Sequence, residues 1–341
     1  MEPYSWTGAE LSDREWRRRL APPECSALLE SAREIASIPK TLVDITVGLG
    51  CGPLKRLRNK LSHQLYRGMG FVVLTGVPVD DEPPEVVESI FWIIGRLLGV
   101  PVSQSRNGDF IGVVEDKGID IRDPRFRGYE SNVPLPFHTD RCDLVALLCL
   151  KQAEKGGESL VASSLRVRDE LAEKWPDLLD VLKMPFPQDL RGEHGPGEQP
   201  WAEMPIISEE DGIFVARYLR SFIEASQRFP DAPRLTSAMV AALDAVDEIL
   251  GREDTPLRFT MEKGDLQILN NHLVMHSRTE FADGTASVNR RKLLRLWISP
   301  YGSCRLPHSF ARLFGSVEPG AIRGGVPSRD PVKQSKSIDS P

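Results

Sequence analysis

The sequence predicts a mainly β protein with flanking helices, built as a sandwich or jelly roll. From about residue 110, short apolar stretches alternate with polar turns, which is typical of strands in such folds. Helical patterns precede this region and also interrupt it, at about 165–183 and 236–250. No internal repeat is visible. A chain of 341 residues is long enough for one large, elaborated core.

The first hundred residues are predicted to be mostly helical. Residues 22–36 carry apolar side chains at helical spacing, and 54–66 combine a leucine stripe with surrounding basic residues. A buried strand is predicted at 70–74. The next helix spans 84–98 and ends at Gly99 and Pro101, two residue types that commonly follow a helix.

The β-rich region is predicted to contain two sets of strands. The first set covers 110–114, 137–140, 143–151 and 158–163. The second set covers 204–207, 212–216, 257–261, 264–271 and 292–299. We predict one domain over 1–341, with a helical part at 1–68 and a core at 69–300 that carries an insertion at about 165–260. The tail, 316–341, is rich in Pro, Gly, Ser and Lys and is predicted to be extended or mobile.

Composition argues against several classes of protein. A net charge of −6 disfavours a general nucleic-acid binder, which is usually basic. No apolar run reaches the length of about eighteen residues that a membrane-spanning helix needs. The start of the chain has no apolar stretch typical of a secretory signal. The five cysteines are scattered, which indicates reduced thiols and a cytoplasmic location.

The most informative motif is His138-Thr139-Asp140. On a β-strand, side chains alternate faces, so His138 and Asp140 would point the same way. A distant histidine on a facing strand could complete a site of two imidazoles and one carboxylate. That set of ligands leaves three positions of an octahedron open, as in non-haem Fe(II) oxygenases. Taken alone, the motif belongs to an ordinary strand more often than to a metal site, and the residues around it favour the metal site.

The third ligand could come from either of two histidines, His272 and His276. If their segment were helical, the spacing of four would place both on one face, as in a zinc protease. That motif also needs a Glu after the first His, where this chain has Leu273. Because the preceding residues indicate a strand running into a loop, we predict His276 as the ligand and His272 as a neighbour.

Two arginines near the end of the β region, Arg291 and Arg295, are candidates for binding anions. They lie four residues apart, so on a strand both would face the same side, next to Leu293 and Trp297. Guanidinium groups turned inward are costly unless an anion meets them. A solvated sheet edge is the alternative interpretation.

Five segments together resemble the TauD/TfdA-like family of Fe(II)- and 2-oxoglutarate-dependent dioxygenases. They are GFVVLTGVP, LPFHTD, GGESLVAS, NNHLVMH and RRKLLRLW, which occur in the order typical of the family between residues 70 and 299. The resemblance implies a cupin-like core, the double-stranded β-helix or jelly roll, with a helical insertion that forms a lid. It also implies that His138, Asp140 and His276 hold the iron. Asn270, six residues before His276, stands where the family commonly has Asp.

The resemblance also assigns roles around the cosubstrate. Arg291 corresponds to the arginine that anchors the distal carboxylate of 2-oxoglutarate, and Ser159 corresponds to the hydroxyl that assists it. Arg295 corresponds to a position that meets an acidic group of the substrate in several members. We therefore predict that Arg295 faces the primary substrate, with an internal ion pair to a carboxylate of the barrel as the alternative.

The chemistry implied by the resemblance is oxidative. Fe(II), 2-oxoglutarate and O2 would give succinate, CO2 and a ferryl intermediate that abstracts hydrogen from a C–H bond. Hydroxylation of a small organic molecule, an amino-acid derivative or secondary metabolite, is the predicted outcome. Desaturation, cyclisation and epoxidation stay open as alternatives. Asp140 argues against halogenation, because halogenating relatives replace that carboxylate with a small residue.

A second class of function has to be weighed beside the oxygenase. A jelly roll with two histidines and one aspartate could be a zinc hydrolase, or a protein that binds a metal without catalysis. Neither alternative explains Arg291 and Ser159, which suit a dicarboxylate. The substrate pocket is predicted near residues 129–132, where Asn132 could bind substrate or form a turn, and near 192–201. The expected partner is a small molecule, rather than nucleic acid or a membrane.

Overall fold

The computed structural model describes residues 3–39, 52–118, 130–195, 197–284 and 290–328. The helices of these residues are α1 (Asp13–Trp16), α2 (Pro22–Ile35), α3 (Gly52–Arg67), α4 (Pro84–Leu98), α5 (Ser164–Lys174), α6 (Pro176–Leu182), α7 (Arg220–Ala225), α8 (Ser237–Leu250) and α9 (Ala311–Phe314). Within the described ranges, no helix combines the length and the apolar character needed to cross a bilayer.

The strands are short, as the sequence predicted. They are β1 (Arg17–Arg19), β2 (Phe71–Thr75), β3 (Gly99–Val102), β4 (Ile111–Val114), β5 (Leu135–His138), β6 (Leu144–Lys151), β7 (Lys155–Gly156), β8 (Ser159–Ser163), β9 (Phe186–Asp189), β10 (Trp201–Met204), β11 (Ile207–Glu210), β12 (Ile213–Ala216), β13 (Leu257–Phe259), β14 (Leu266–Asn270), β15 (Val274–Arg278), β16 (Phe281–Ala282) and β17 (Lys292–Pro300).

Two sheets form the jelly roll. The major sheet has the order β1-β2-β14-β6-β17-β3, with β4 also paired to β17. The minor sheet has the order β13-β8-β15-β5. Three hairpins stand apart from them: β9 with β10, β11 with β12, and β7 with β16. The predicted fold class, a jelly roll flanked by helices, is confirmed.

Alternating side chains divide the core into layers. Leu148 and Leu294 of the major sheet face outward and pack with helices α2, α3 and α4, while Leu293 faces inward. The inner cluster joins both sheets, since it also contains Val161 of β8. On the far side, Met275 of β15 packs with α5, α6 and α8. The period of two within a strand therefore gives each sheet a helix-facing side and an inner side.

Several predicted boundaries are wrong in an informative way. The predicted strand 204–207 is in fact two strands, because Pro205 between them has no N–H to donate. Strand β5 ends at His138, so Asp140 does not lie on the strand as predicted. Its backbone N–H instead donates to Asn271 Oδ1 at 3.1 Å. Strands β3 and β9 and helix α7 were not predicted.

The first part of the predicted mobile tail is packed against the core. Val317 and Val326 are buried, and the guanidinium of Arg323 forms an ion pair of 2.6 Å with Asp143. A buried charged pair of this kind holds the segment in place, although its composition is typical of disordered chains. The expectation of a mobile tail is therefore wrong for 316–328, which is packed without forming a helix or strand, and residues 329–341 lie outside the described residues.

Candidate metal centre

The two predicted histidine ligands meet across neighbouring strands of the minor sheet. His276 of β15 is paired directly with His138 of β5, and on its other side with Val161 of β8. The two imidazole rings lie 4.2 Å apart between centroids. Both side chains line a cavity of about 630 Å³. Strand pairing thus brings together two histidines that lie 138 positions apart in the sequence.

Asp140 reaches this site from the loop that follows β5. Its backbone N–H donates to Asn271 Oδ1, and its Oδ2 accepts a hydrogen bond of 3.1 Å from Trp297 Nε1. The carboxylate oxygens then lie 4.0 Å from His138 Nε2 and 3.9 Å from His276 Nε2. These distances are too long for direct hydrogen bonds. The three side chains therefore surround a space without closing it.

The donor set fits a divalent transition metal. Among the described residues, His138, Asp140 and His276 are the group of potential ligands close enough to hold an ion, with ligand atoms within 4.8 Å of one another. His138 Nδ1 lies 2.9 Å from the carbonyl of Pro136, which can only accept. The tautomer with the proton on Nδ1 leaves Nε2 free to bind a metal.

Burial keeps the ligands in the protonation states that metal binding requires. It lowers the pKa of His138 and lowers the pKa of His276 to about 3, so both imidazoles are neutral at physiological pH. For Asp140, burial alone would raise the pKa, but the Arg295 guanidinium and the neighbouring groups lower it overall. Two neutral imidazoles and one carboxylate therefore face the cavity, as the sequence predicted.

His272 belongs to a different cluster. Its Nε2 lies 2.9 Å from Asp143 Oδ1, the carboxylate that also binds Arg323. It is absent from the group of potential ligands and from the described lining of the metal cavity. His272 lies in the turn between β14 and β15, whereas His276 lies on β15. Its place beside Asp143 supports the prediction that it is a neighbour of the metal ligands.

Arg291 and Ser159 lie at one end of the same cavity. Arg291 directly precedes β17 and is buried, with Nε donating to Gln152 Oε1 at 3.1 Å. Its Nη1 is buried without a hydrogen-bond partner. Burial lowers the pKa of Arg291 to about 10, so the group stays charged at neutral pH. A buried cation with an unsatisfied N–H suits a carboxylate.

The glycine turn before Ser159 makes room for this arginine. A Cβ on Gly157 would lie 3.0 Å from Arg291 Nε, and the backbone there has a φ of +71°, which favours glycine. The predicted GGESLVAS segment therefore has two visible effects. It starts β8, which carries Ser159, and it allows close approach of the Arg291 side chain.

Arg295 also lines the cavity, but its side chain already has internal contacts. Nε donates to Gln104 Oε1 at 2.6 Å, and Nη1 lies 3.9 Å from Asp140 Oδ1. The guanidinium also stacks 4.8 Å above the Trp297 ring. The predicted inward orientation is present. The neighbour of its charge is a carboxylate of the barrel, which is the alternative that the sequence left open.

Asn132 is located elsewhere. It borders a separate depression with Asp283 and Arg290, and it is absent from the described lining of the metal cavity. Tyr129, at the start of the same predicted substrate loop, lies outside the described residues. The other predicted loop does contribute, since Glu193 lines the cavity.

Sequence analysis missed several residues around the cavity, among them Gln104, Asn271 and Arg278. Gln104 accepts a hydrogen bond from Arg295, and Asn271 accepts one from the backbone of Asp140. Arg278, which pairs with Ser159 in the sheet, donates to the carbonyls of Ser131 and Thr279. Asn271 could have been noticed within the NNHLVMH segment. Gln104 carries no local signal, because its partner lies 191 positions further along the chain.

The fold and the site together define a class of protein. A jelly roll that gathers two imidazoles and one carboxylate, with a buried cation further along the cavity, is the arrangement of a non-haem Fe(II) oxygenase that uses a carboxylate-bearing cosubstrate.

Comparisons with known proteins identify the family. Residues 52–297 match the family described as taurine catabolism dioxygenase TauD, TfdA. The chain is 30% identical over 319 residues to the FR-33289 synthase of Streptomyces rubellomurinus, covering 90% of this chain and 92% of that protein. The chain belongs to the TauD/TfdA family. It is a 2-oxoglutarate-dependent non-haem iron dioxygenase, with Fe(II) as metal and 2-oxoglutarate and O2 as cosubstrates.

Other relatives support the same fold. The taurine hydroxylase-like protein SAT17 of Stachybotrys chartarum is 32% identical over 262 residues, covering 72% of this chain and 64% of that protein. The structure of an asparagine oxygenase with Fe(II), hydroxyasparagine and succinate aligns with a TM-score of 0.63 and 19% identity, over 83% of this chain and 94% of that one. The oxygenase OrfP with Fe and α-ketoglutaric acid aligns at 0.62 and 18%, over 83% and 93%.

Proposed function

We propose that this enzyme hydroxylates a small organic molecule, an amino-acid derivative or secondary metabolite, and converts 2-oxoglutarate to succinate and CO2. The observation that carries the proposal is the buried, unpartnered Nη1 of Arg291 in the cavity that also holds the triad of His138, Asp140 and His276. A jelly-roll hydrolase would have no use for such a cation. Fe(II) together with 2-oxoglutarate supplies the oxidising chemistry when bound.

In this proposal, the residues that line the cavity have three different roles. His138, Asp140 and His276 would hold the metal, which would supply the oxidising chemistry when bound. Arg291 and Ser159 bind the far carboxylate of 2-oxoglutarate and so orient its keto acid end toward the metal. Apolar walls, including Leu293 and Trp297, keep water away from the reacting atoms.

The substrate class is inferred from the cavity and from the relatives. A volume of about 630 Å³ is that of a small-molecule pocket. Two structural relatives were determined with hydroxylated amino acids, namely hydroxyasparagine and (3S)-hydroxy-L-Arg. Those ligands are bound by those two proteins, and they support an amino-acid derivative as the first substrate class to test here.

The proposed function is tested by adding 2-oxoglutarate to the anaerobic Fe(II) protein. A weak visible charge-transfer band is expected, because the keto acid would bind the metal directly. Succinate, which lacks the keto group, is the matched control and is expected to give no band. Amino acids and their N-acyl derivatives are then screened in air for succinate formation above background. Failure of 2-oxoglutarate to give a band would refute the proposal.

Arg295→Ala tests the role of that residue. Because its guanidinium lies beside Asp140 rather than at the Arg291 end, we expect 2-oxoglutarate affinity to change far less than in Arg291→Ala. Consumption of 2-oxoglutarate without substrate should fall about tenfold, which corresponds to about 1.4 kcal/mol. If only the substrate-stimulated rate falls, Arg295 meets the primary substrate, as the sequence predicted, rather than orienting Asp140.

A further inference from the structure

Arg217, between β12 and α7, is a buried cation of the metal cavity for which the proposed reaction gives no role. Its side chain is only 4% exposed and lines the cavity. Nη1 donates to the carbonyl and hydroxyl oxygens of Thr139 and to the carbonyl of Asp140. All three bonds use one nitrogen, and Nε is buried without a partner. No carboxylate of the described residues lies within 4.0 Å of this guanidinium.

The carboxylates that line the cavity near Arg217 are already paired with other arginines. Glu193 binds Arg141 at 3.3 Å, and Asp189 binds Arg228 at 3.0 Å. Glu224 and Asp247 both bind Arg220, each at 2.7 Å. Asp140 faces the metal position. Within hydrogen-bonding distance, the guanidinium of Arg217 therefore meets neutral oxygens alone, while the carboxylates of Asp140 and Glu193 act on it from longer range. A buried cation without a carboxylate in direct contact is unfavourable unless an anion completes its surroundings.

Arg217 and the proposed cosubstrate residues lie on opposite sides of the metal position. In the minor sheet, Ser159 of β8 pairs with Arg278 of β15, and Arg278 pairs with Leu135 of β5. Leu135 lies three residues before His138. The partners of Arg217 are Thr139 and Asp140, which follow His138 in the chain. An anion at Arg217 would therefore leave the Arg291 end free for 2-oxoglutarate.

We propose that Arg217 forms an anion subsite for the primary substrate, which is a compact organic molecule bearing an oxyanion such as a carboxylate. The proposal rests on the proposed function, since it assumes that 2-oxoglutarate occupies the Arg291 end. Arg217 contacts the backbone of Asp140, so the oxidised carbon of the substrate lies only a few bonds from the oxyanion. Arg295 is less suited to this task, because its charge already lies beside Asp140 and its Nε is bound to Gln104.

The subsite is tested by calorimetric titration of the anaerobic protein, loaded with Fe(II) and saturated with 2-oxoglutarate. Acetate, sulfate and methylphosphonate are the probes, and acetamide is the neutral counterpart of acetate. We expect at least one oxyanion to bind with one-to-one stoichiometry, and acetamide not to bind. Arg217→Gln should weaken that binding at least tenfold, and Arg217→Lys should weaken it less, because it keeps the charge.

Arg33→Gln is the control for loss of one positive charge. Arg33 is an exposed arginine of α2 that pairs with Glu82, and its substitution should leave oxyanion binding as in the wild type. Absence of oxyanion binding by the wild type, or equal binding by wild type and Arg217→Gln, would overturn the proposal. If Arg217→Gln does not fold, Arg217→Lys and the preference of the wild type for acetate over acetamide decide the matter.

The same measurements distinguish failure of the anion subsite from failure of the proposed function. If 2-oxoglutarate gives its visible band but oxyanions do not bind, the subsite is refuted and the oxygenase proposal is unaffected. If no band forms while oxyanion binding still depends on Arg217, the subsite is supported as an anion site and the proposed reaction fails. Equal loss of Fe(II) affinity in Arg217→Gln and Asp140→Ala, without oxyanion binding by the wild type, would make Arg217 a positioning residue only.

Discussion

His138→Ala, Asp140→Ala and His276→Ala are each expected to abolish turnover by removing Fe(II) from the protein. Each substitution deletes one of three ligands in the group that the structure brings within 4.8 Å. With two ligands left, the protein would bind Fe(II) more weakly and would no longer fix its orientation in the cavity. The fold should persist, because the main hydrophobic clusters consist of other side chains.

Anaerobic Fe(II) titration measures this prediction, and thermal unfolding of the metal-free proteins checks the fold. His272→Ala is the matched control, since His272 is a histidine of the same segment that binds Asp143 instead of facing the metal position. It should keep at least part of the iron affinity. Equal loss of Fe(II) binding in His272→Ala and His276→Ala would show that the ligand assignment is wrong.

Arg291→Ala is expected to raise the requirement for 2-oxoglutarate at least tens-fold. The substitution leaves a desolvated carboxylate of the cosubstrate without its cation, a loss on the order of 2–5 kcal/mol. Each 1.4 kcal/mol or so corresponds to a factor of ten in affinity. Ser159→Ala removes one ordinary hydrogen bond and should cost about 1 kcal/mol. Its effect should therefore be clearly smaller.

The measurement is the dependence of succinate formation on 2-oxoglutarate concentration, supported by titration of the visible band. Arg290→Ala provides the control, because Arg290 is the adjacent arginine in sequence and is exposed rather than buried. It should leave the requirement for 2-oxoglutarate close to that of the wild type. A larger effect at Ser159 than at Arg291, or equal effects, would contradict the assignment of the cosubstrate end.

The sequence alone determined the features that depend on local pattern and motif order. Helices α2, α3 and α4 were predicted because their apolar side chains recur at helical spacing, and α4 was predicted with its observed bounds. The residues that meet in the cavity, such as His138 and Arg291, could be predicted because they lie in short segments typical of one family. Those segments keep their order along the chain even where the structure between them differs.

Only the tertiary structure decided which polar groups complete the site. Arg217 contacts Thr139 across 78 positions of the chain, and Gln104 contacts Arg295 across 191, so no local pattern marks either pair. The same holds for Arg323. It lies in a segment rich in Pro, Gly, Ser and Lys, for which a mobile tail was predicted, yet it binds Asp143 from 180 positions away. A buried charge is stabilised by whatever partner the fold brings within a few ångströms, and that partner is set by strand pairing and layer packing rather than by neighbouring residues. For this reason the metal ligands could be predicted from the sequence, whereas the anion subsite proposed at Arg217 could not.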